Sequence, residues 1–125
     1  MENQIIKAIK IDVENNEVKY VNVVREDSSI LQSCYNHIGC ELIDSVHLSD
    51  TNKIYVDDEG LLKLTPKSKF FIFDGVFQPL AGNGLILGHD NNSGESISTD
   101  LTIDEVAEKV IFANIDTLRT LGFIK

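Results

Sequence analysis

The sequence has few of the residues that mark secreted or membrane-spanning proteins. Only two cysteines, Cys34 and Cys40, occur among 125 residues, which is too few for the disulfide framework of a small secreted protein. No apolar run approaches the roughly 20 residues that span a bilayer, and the first ten residues mix charged residues with isoleucine instead of forming a signal peptide. We therefore expect a soluble intracellular protein with no membrane partner.

Positive charge is also scarce. The chain has 11 Lys and Arg residues against 20 Asp and Glu residues, a net charge of -9, and its only arginines are Arg25 and Arg119. A field of this sign repels a polyphosphate backbone at long range, so general binding to DNA or RNA is disfavoured. A small anion is still a possible ligand, because backbone N–H groups can hold a phosphate locally.

The length and the hydrophobic content of 42% suit one globular domain, residues 1–125. Alternating apolar and polar residues predict a strand at residues 5–13 and a partner at 18–24, joined by a tight turn at Asn15 and Asn16. Asp27 or Ser28 is expected to cap a short helix that ends at Gly39. Further strands are predicted at residues 40–48 and 54–56, with a short strand or extended edge at 61–64.

The stretch of residues 69–94 holds two apolar runs, residues 70–73 and 85–87, which we predict to be core strands. After it, Thr102 and Glu105 have the spacing of a capping box, with Leu101 placed to contact Val106, so a helix is predicted to begin there. The predicted order is ββαββ(β)ββα, an α+β fold with two helices on one face of a mostly antiparallel sheet.

The C-terminal helix is expected to carry two apolar stripes. One would pack on the sheet, and the second consists of Ile111, Ile115 and Leu118. This second stripe predicts a homo-oligomer built through the helix. Coverage of the same stripe by the tail, residues 121–124, is an equal alternative.

Cys34, His37 and Cys40 have a spacing that zinc ligands can show. We interpret them as structural residues, because Cys40 lies beyond the helix-ending Gly39 and no fourth Cys or clustered His follows. The acidic turn of Asp57, Asp58 and Glu59 lacks the alternating ligand spacing of a calcium loop. No metal and no cofactor are predicted.

His89 follows an apolar strand and could form an acid–base pair with Asp74 or Asp90. This would make the chain a small hydrolase. No nucleophile motif such as G-x-S-x-G accompanies the histidine. Catalysis is therefore kept as an alternative, and the protein is expected not to be an enzyme.

Two loops have the composition of a nucleotide pocket. Glycine and serine let backbone N–H groups approach an oxyanion, asparagine can bond a base edge, and an aromatic ring can stack on a planar ligand. A pair of flexible hairpin turns is the alternative. The predicted ligand-binding residues are Phe77, Asn83, His89, Asn91, Asn92 and Ser93.

The order of the predicted elements resembles a family of small domains of unknown function found in phages and mobile elements of Firmicutes. The N-terminal hairpin, the helix followed by residues 39–43, the acidic turn at residues 57–60 and the run of residues 80–88 carry this resemblance. The resemblance implies the same fold order, a phage or prophage origin and hence the cytoplasm of the bacterial host.

In size, in its late loop containing Asn92 and in its expected C-terminal helix, the chain is also similar to the phage Thoeris anti-defence sponges. This similarity implies an oligomer that sequesters a small nucleotide-like signal of the cyclic ADP-ribose type to counter host defence. The chain has no arginine in residues 103–114, which disfavours a cyclic oligonucleotide. From composition alone, an acidic module that binds and inhibits a basic host protein is the alternative function.

Overall fold

The computed structural model describes residues 4–124 and confirms the α+β fold class. Its strands are Gln4–Asp12 (β1), Glu17–Arg25 (β2), Ile43–His47 (β3), Asn52–Asp57 (β4), Lys69–Phe73 (β5), Leu80–Ala81 (β6), Gly84–His89 (β7), Ser96–Ile97 (β8) and Val110–Asn114 (β9). Its helices are Leu31–Ile38 (α1), Ile103–Ala107 (α2) and Ile115–Thr120 (α3), and a 3₁₀ turn spans Gly60–Leu62.

The strands form two antiparallel sheets. The larger sheet has the order β2-β1-β7-β4-β3, with β8 paired beside β1 on the same edge of β7, and the smaller has the order β6-β5-β9. β7 lies at the centre of the larger sheet, and its first five residues are buried. The two predicted core strands at residues 70–73 and 85–87 are thus confirmed, although they belong to different sheets.

The two sheets face each other across the main core. Ile9, Ile54 and Ile86 of the larger sheet share one cluster with Phe71 and Phe73 of the smaller sheet. Because side chains alternate along a strand, the outer face of each sheet needs its own cover. Cys34 and Ile38 of α1 cover the larger sheet, and Leu118 of α3 covers the smaller one. The prediction that the helices share one face of a single sheet was therefore wrong.

The predicted hairpin between the first two strands is confirmed. β1 pairs with β2 from Gln4↔Arg25 to Asp12↔Glu17, and Asn16 has a positive φ of 51°. The predicted helix cap was wrong. Asp27 and Ser28 have φ values of 49° and 66°, and they form a two-residue turn that Glu26 and Ser29 close with two backbone hydrogen bonds. Positive φ at both central positions is the type I′ geometry.

α1 begins later than predicted, with Ile30 at its N-cap and Leu31 as its first residue. The predicted helix end is confirmed, since Gly39 adopts the left-handed conformation at φ 84°. Residues 61–64 do not form the predicted strand or extended edge, because the 3₁₀ turn spans Gly60–Leu62. The turn packs closely against β6, since a Cβ added to Gly60 would lie 3.0 Å from the Cβ of Ala81.

The prediction of a single long C-terminal helix was also wrong. Its start is confirmed, because the Thr102 hydroxyl accepts from the Glu105 N–H at 3.1 Å. The chain then leaves the helix after Ala107 and runs as β9 along β5, and Asn114 caps a second helix by accepting from Thr117 N–H at 2.9 Å. Residues 110–113 are β-branched or aromatic except Ala113, so pairing with β5 suits them better than helix.

The predicted apolar stripe is therefore split between two elements. Ile111 lies on β9 and is 58% exposed, whereas Leu118 lies on α3 and is buried. Ile115 and the tail residue Ile124 pack against the cluster that contains Leu118. Leu118 is therefore covered within the chain, in part by the tail. Ile111, Ile115 and Leu118 do not lie on one helix face.

None of the helices formed by residues 4–124 is both long and apolar enough to cross a membrane.

Candidate functional site

The loop after β7 is held by its own hydrogen bonds. The Asp90 carboxylate accepts from the Asn92 N–H at 2.9 Å, the Gly94 N–H donates to the Asp90 carbonyl at 2.7 Å, and the Ser93 hydroxyl accepts from the Glu95 N–H at 3.2 Å. The Asn91 side chain donates to the carbonyl of Asp50 at 2.9 Å. Asn91 and Ser93 therefore already use polar atoms within the protein.

His89 lies at the end of β7, half-buried, with its ring edge against the ring of His47 at 6.4 Å between centroids. The N–H of Asn92 lowers the pKa of the neighbouring Asp90 by donating to its carboxylate. Asp74 follows β5 of the other sheet and lines a small cavity with Glu105 and Lys109. Within the described residues His89 forms no hydrogen bond or ion pair with Asp74, and Asp90 is turned toward its own loop.

Asn83 lies at the opposite end of β7. Its side-chain oxygen accepts from the Val13 N–H at 2.9 Å, which ties the start of β7 to the end of β1. Because β7 runs from Gly84 to His89, about 17 Å separates its two ends at 3.4 Å per residue. The Asn83 loop and the Asn92 loop therefore do not form one pocket, and Phe77 is fully exposed in the segment between β5 and β6.

Cys34 is buried, and this burial raises the pKa of its thiol to about 12. Burial also raises the pKa of Cys40, which packs against the same cluster. Within residues 4–124, no group of three or more His, Cys, Asp or Glu side chains has an arrangement that could hold a metal ion.

A different region contains three adjoining clefts of about 480, 170 and 190 Å³. The first and second share Asn114 in their walls, and the second and third share Val13 and Lys69. We call this region the basic groove. Its walls are residues 63–69, residues 112–117 and Arg119 where β9 passes into α3, and Val13, Glu14 and Asn16 of the first hairpin, together with Asp57, Gly60, Ala81 and Gly82.

Four of the eleven basic residues line the basic groove: Lys63, Lys67, Lys69 and Arg119. Lys67 forms no ion pair within the described residues. The other three have acidic neighbours: Lys63 Nζ lies 2.7 Å from Asp57 Oδ2, Lys69 Nζ lies 3.4 Å from Glu14 Oε2, and Arg119 Nη1 lies 3.1 Å from Asp116 Oδ1.

Two of these ion pairs are exchangeable. The side chains of Lys69, Glu14, Arg119 and Asp116 are 43–89% exposed, and exposed pairs of this kind contribute only about 0–1 kcal/mol. The Asp57 side chain is only 13% exposed, and its carboxylate raises the pKa of Lys63 by accepting its hydrogen bond. An anionic ligand could replace Glu14 and Asp116 as the partners of Lys69 and Arg119 at a small energetic cost.

Sequence reasoning missed this groove although a signal was present. Three of the nine lysines fall within the seven residues 63–69, next to Pro66. The pattern of residues 61–64 predicts a short strand or an extended edge, which does not by itself bring the three lysines together. Of the predicted site residues, Asn83 is linked to the groove, because its side chain accepts a hydrogen bond from Val13 in the groove wall.

The family described as a domain of unknown function (DUF3846) matches residues 6–111. The chain belongs to this family. The match confirms the expected membership of a family of unknown function, and it spans residues 63–69 but ends before α3. The phage or prophage origin and the likeness to the anti-defence sponges stay predictions.

Two relatives are similar in sequence to this DUF3846 protein. Protein PsiB of Rhizobium leguminosarum bv. phaseoli is 31% identical over 108 residues, covering 78% of this chain and 78% of that protein. The uncharacterized protein y4iR of Sinorhizobium fredii (strain NBRC 101917 / NGR234) is 27% identical over 100 residues, covering 80% of this chain and 59% of that protein. No solved structure matches the chain.

Proposed function

We propose that this DUF3846 protein is a non-enzymatic binding protein for a small nucleotide-like anion, and that the anion binds in the basic groove. One observation carries the proposal: in a chain of net charge -9, four of the eleven basic residues line adjoining clefts, Arg119 in the cleft of about 480 Å³ and Lys63, Lys67 and Lys69 in the cleft of about 190 Å³. In such a chain, local positive charge is needed to hold an anion against the overall field.

The size of the groove agrees with this ligand class. The 480 Å³ cleft falls within the roughly 300–1,000 Å³ of small-molecule sites. Leu64, Pro66 and Ile115 supply apolar wall for a base or ribose, and Asn114 and Thr65 supply polar atoms. Lys67 and Lys69 would contact the phosphate, with the backbone of Gly82 beside them.

Calorimetry with a panel of adenosine monophosphate, ADP-ribose, cyclic ADP-ribose and inorganic phosphate tests the proposal. The double variant Lys67→Ala/Lys69→Ala should bind at least about tenfold more weakly than the wild type, since tenfold is 1.4 kcal/mol and lost charge-assisted hydrogen bonds are of that size. The matched control Lys53→Ala/Lys109→Ala removes the same charge outside the groove and should bind like the wild type.

Asn92→Ala separates the groove from the site predicted in the loop after β7. Binding that is lost in Asn92→Ala and retained in Lys67→Ala/Lys69→Ala would place the ligand in that loop and overturn the groove. Failure of the wild type to bind any member of the panel would overturn the ligand class.

The biological role stays at the level of prediction. Sequestration of a cyclic ADP-ribose type signal to counter host defence needs affinity and no turnover, which agrees with a binding groove. The acidic module that inhibits a host protein and the small hydrolase using His89 also stay predictions. Retention of a partner from host lysate at low salt and turnover that is lost in His89→Ala are their respective tests.

A further inference from the structure

The outer edge of β9 has the features of a strand that pairs with another strand. β9 ends the smaller sheet, whose order is β6-β5-β9, so one of its two edges has no neighbouring strand within the described residues. Asp74 N–H donates to the Lys109 carbonyl at 2.9 Å, and the register continues Ile72↔Ile111 and Phe70↔Ala113.

This register decides which backbone groups point outward. In an antiparallel pair the hydrogen-bonded residues alternate. Since Lys109, Ile111 and Ala113 bond toward β5, the N–H and C=O groups of Val110 and Phe112 point away from it. Backbone groups of this kind, in a row along an edge, are a template for pairing with another strand.

The other edge strands are protected or charged. Along β2, the Ser33 hydroxyl of α1 accepts from Val24 N–H at 3.0 Å, and Nε2 of His37 bonds the Asn22 carbonyl at 2.7 Å. β3 carries Asp44 and His47, and β6 has two residues, with the 3₁₀ turn against it. β9, with the sequence VIFAN, carries no charge, and it exposes 58% of Ile111.

We propose that β9 pairs with β9 of a second copy of this chain, in an antiparallel arrangement about a twofold axis at Phe112. The outward groups are then complementary, because Phe112 bonds Phe112 of the copy and Val110 bonds Asn114 of the copy. Ile111 lies opposite Ala113 of the copy, on the face where Leu118 packs. An uncharged strand makes this self-pairing possible in a chain of net charge -9, where charged edges would repel their copies.

The second copy is favoured over a foreign strand because the same five residues satisfy both sides of the pair. The two Ile111 side chains would lie diagonally across the twofold axis, within about 7–8 Å at the level of Cα. A charge placed at residue 111 would therefore oppose itself in the dimer, and it would touch little else in the monomer because the side chain is exposed.

Native mass spectrometry of the full chain over a dilution series tests the pairing. The wild type should show twice the 13.9 kDa of one chain, and Ile111→Lys should show the single mass. Leu62→Lys, which places the same charge on another exposed apolar residue, should keep the dimer mass. A mixture of Ile111→Lys with Ile111→Asp should recover the dimer, which also shows that the variants fold.

Hydrogen exchange gives a second readout of the same interface. The amides of Val110 and Phe112 should exchange more slowly in the wild-type dimer than in Ile111→Lys. A wild type that is monomeric at every concentration would overturn the proposal. So would a dimer mass in Ile111→Lys, because the interface would then lie elsewhere.

Discussion

Asp12 is a charged side chain that is only 5% exposed. Its carboxylate accepts from the backbone N–H of Glu14 and from the side chain and backbone of Asn15, and Lys19 Nζ lies 3.4 Å away. Burial raises the pKa of Asp12, but the hydrogen bonds from Asn15, Lys19 and Glu14 outweigh burial, and its pKa lies below the ordinary value of 3.8. The charge therefore stabilises the turn of the first hairpin.

The sign of the pH dependence follows from this lowered pKa. The contribution of Asp12 to stability is fully present above the unfolded pKa near 4, and it is lost as the pH falls through the lower folded pKa. Asp12→Asn should reduce the free energy of unfolding at neutral pH by about 1–3 kcal/mol, because the charge-assisted bonds are lost.

Urea unfolding of the wild type and Asp12→Asn at several pH values measures this difference. The two proteins should converge in stability as the pH falls from about 4 through the lowered folded pKa of Asp12. The exposed Asp58→Asn removes the same charge and should change stability little at any pH. Equal stability of wild type and Asp12→Asn at neutral pH would contradict the role assigned to the charge.

At the scale of elements, the start of α2 behaves largely as its local sequence requires. The Thr102 hydroxyl accepts from the Glu105 N–H, and Leu101 and Val106 lie in the main core cluster. Glu105 departs from the predicted box, because its carboxylate accepts from the Thr102 hydroxyl at 3.1 Å instead of from the Thr102 N–H. One hydroxyl therefore provides the whole side-chain cap.

Thr102→Ala should lower the free energy of unfolding by about 1 kcal/mol, the usual cost of losing an N-cap side chain. Thr102→Ser keeps the hydroxyl and should remain close to the wild type, so thermal unfolding of the two variants isolates the cap. A loss of the same size in Thr102→Ser would attribute the effect to the methyl group of threonine.

At the scale of the whole molecule, a buried polar network holds residues 98–102, the segment that connects β8 of the larger sheet to α2. Asn52 in β4 donates to the Asp100 carboxylate at 2.8 Å and accepts from the Thr99 hydroxyl at 2.7 Å. Asn52 and Thr99 are both buried, and the backbone N–H of Thr99 also bonds the Lys7 carbonyl of β1 at 3.0 Å. The network therefore joins β4, β1 and the approach to α2.

Asn52→Ala should lower the free energy of unfolding by about 2–4 kcal/mol, because it leaves the buried Thr99 hydroxyl without its acceptor and removes a packed side chain. Hydrogen exchange should also become faster at the Thr99 amide. The exposed Asn36→Ala provides the control and should cost much less. An unchanged exchange rate at Thr99 would show that the backbone bonds alone hold the segment.

Local sequence was sufficient for much of the fold. The first hairpin, the end of α1 at Gly39, the strands at residues 70–73 and 85–87 and the start of α2 depend on alternation, positive φ and capping, which involve residues close in the chain. For the same reason, the sequence identifies Asn92 and its neighbours as a polar loop. It does not show that the side chains of this loop form hydrogen bonds within the protein.

The sequence by itself determined the α+β class, the order of the early elements and the negative charge that disfavours nucleic acid. Only the tertiary structure decided that residues 110–114 form a strand, because β5 supplies a partner about forty residues away that outweighs the local helical pattern. It also decided that the loops of Asn83 and Asn92 lie at opposite ends of β7, and that Lys67, Lys69 and Arg119 line adjoining clefts, since both depend on contacts between distant parts of the chain.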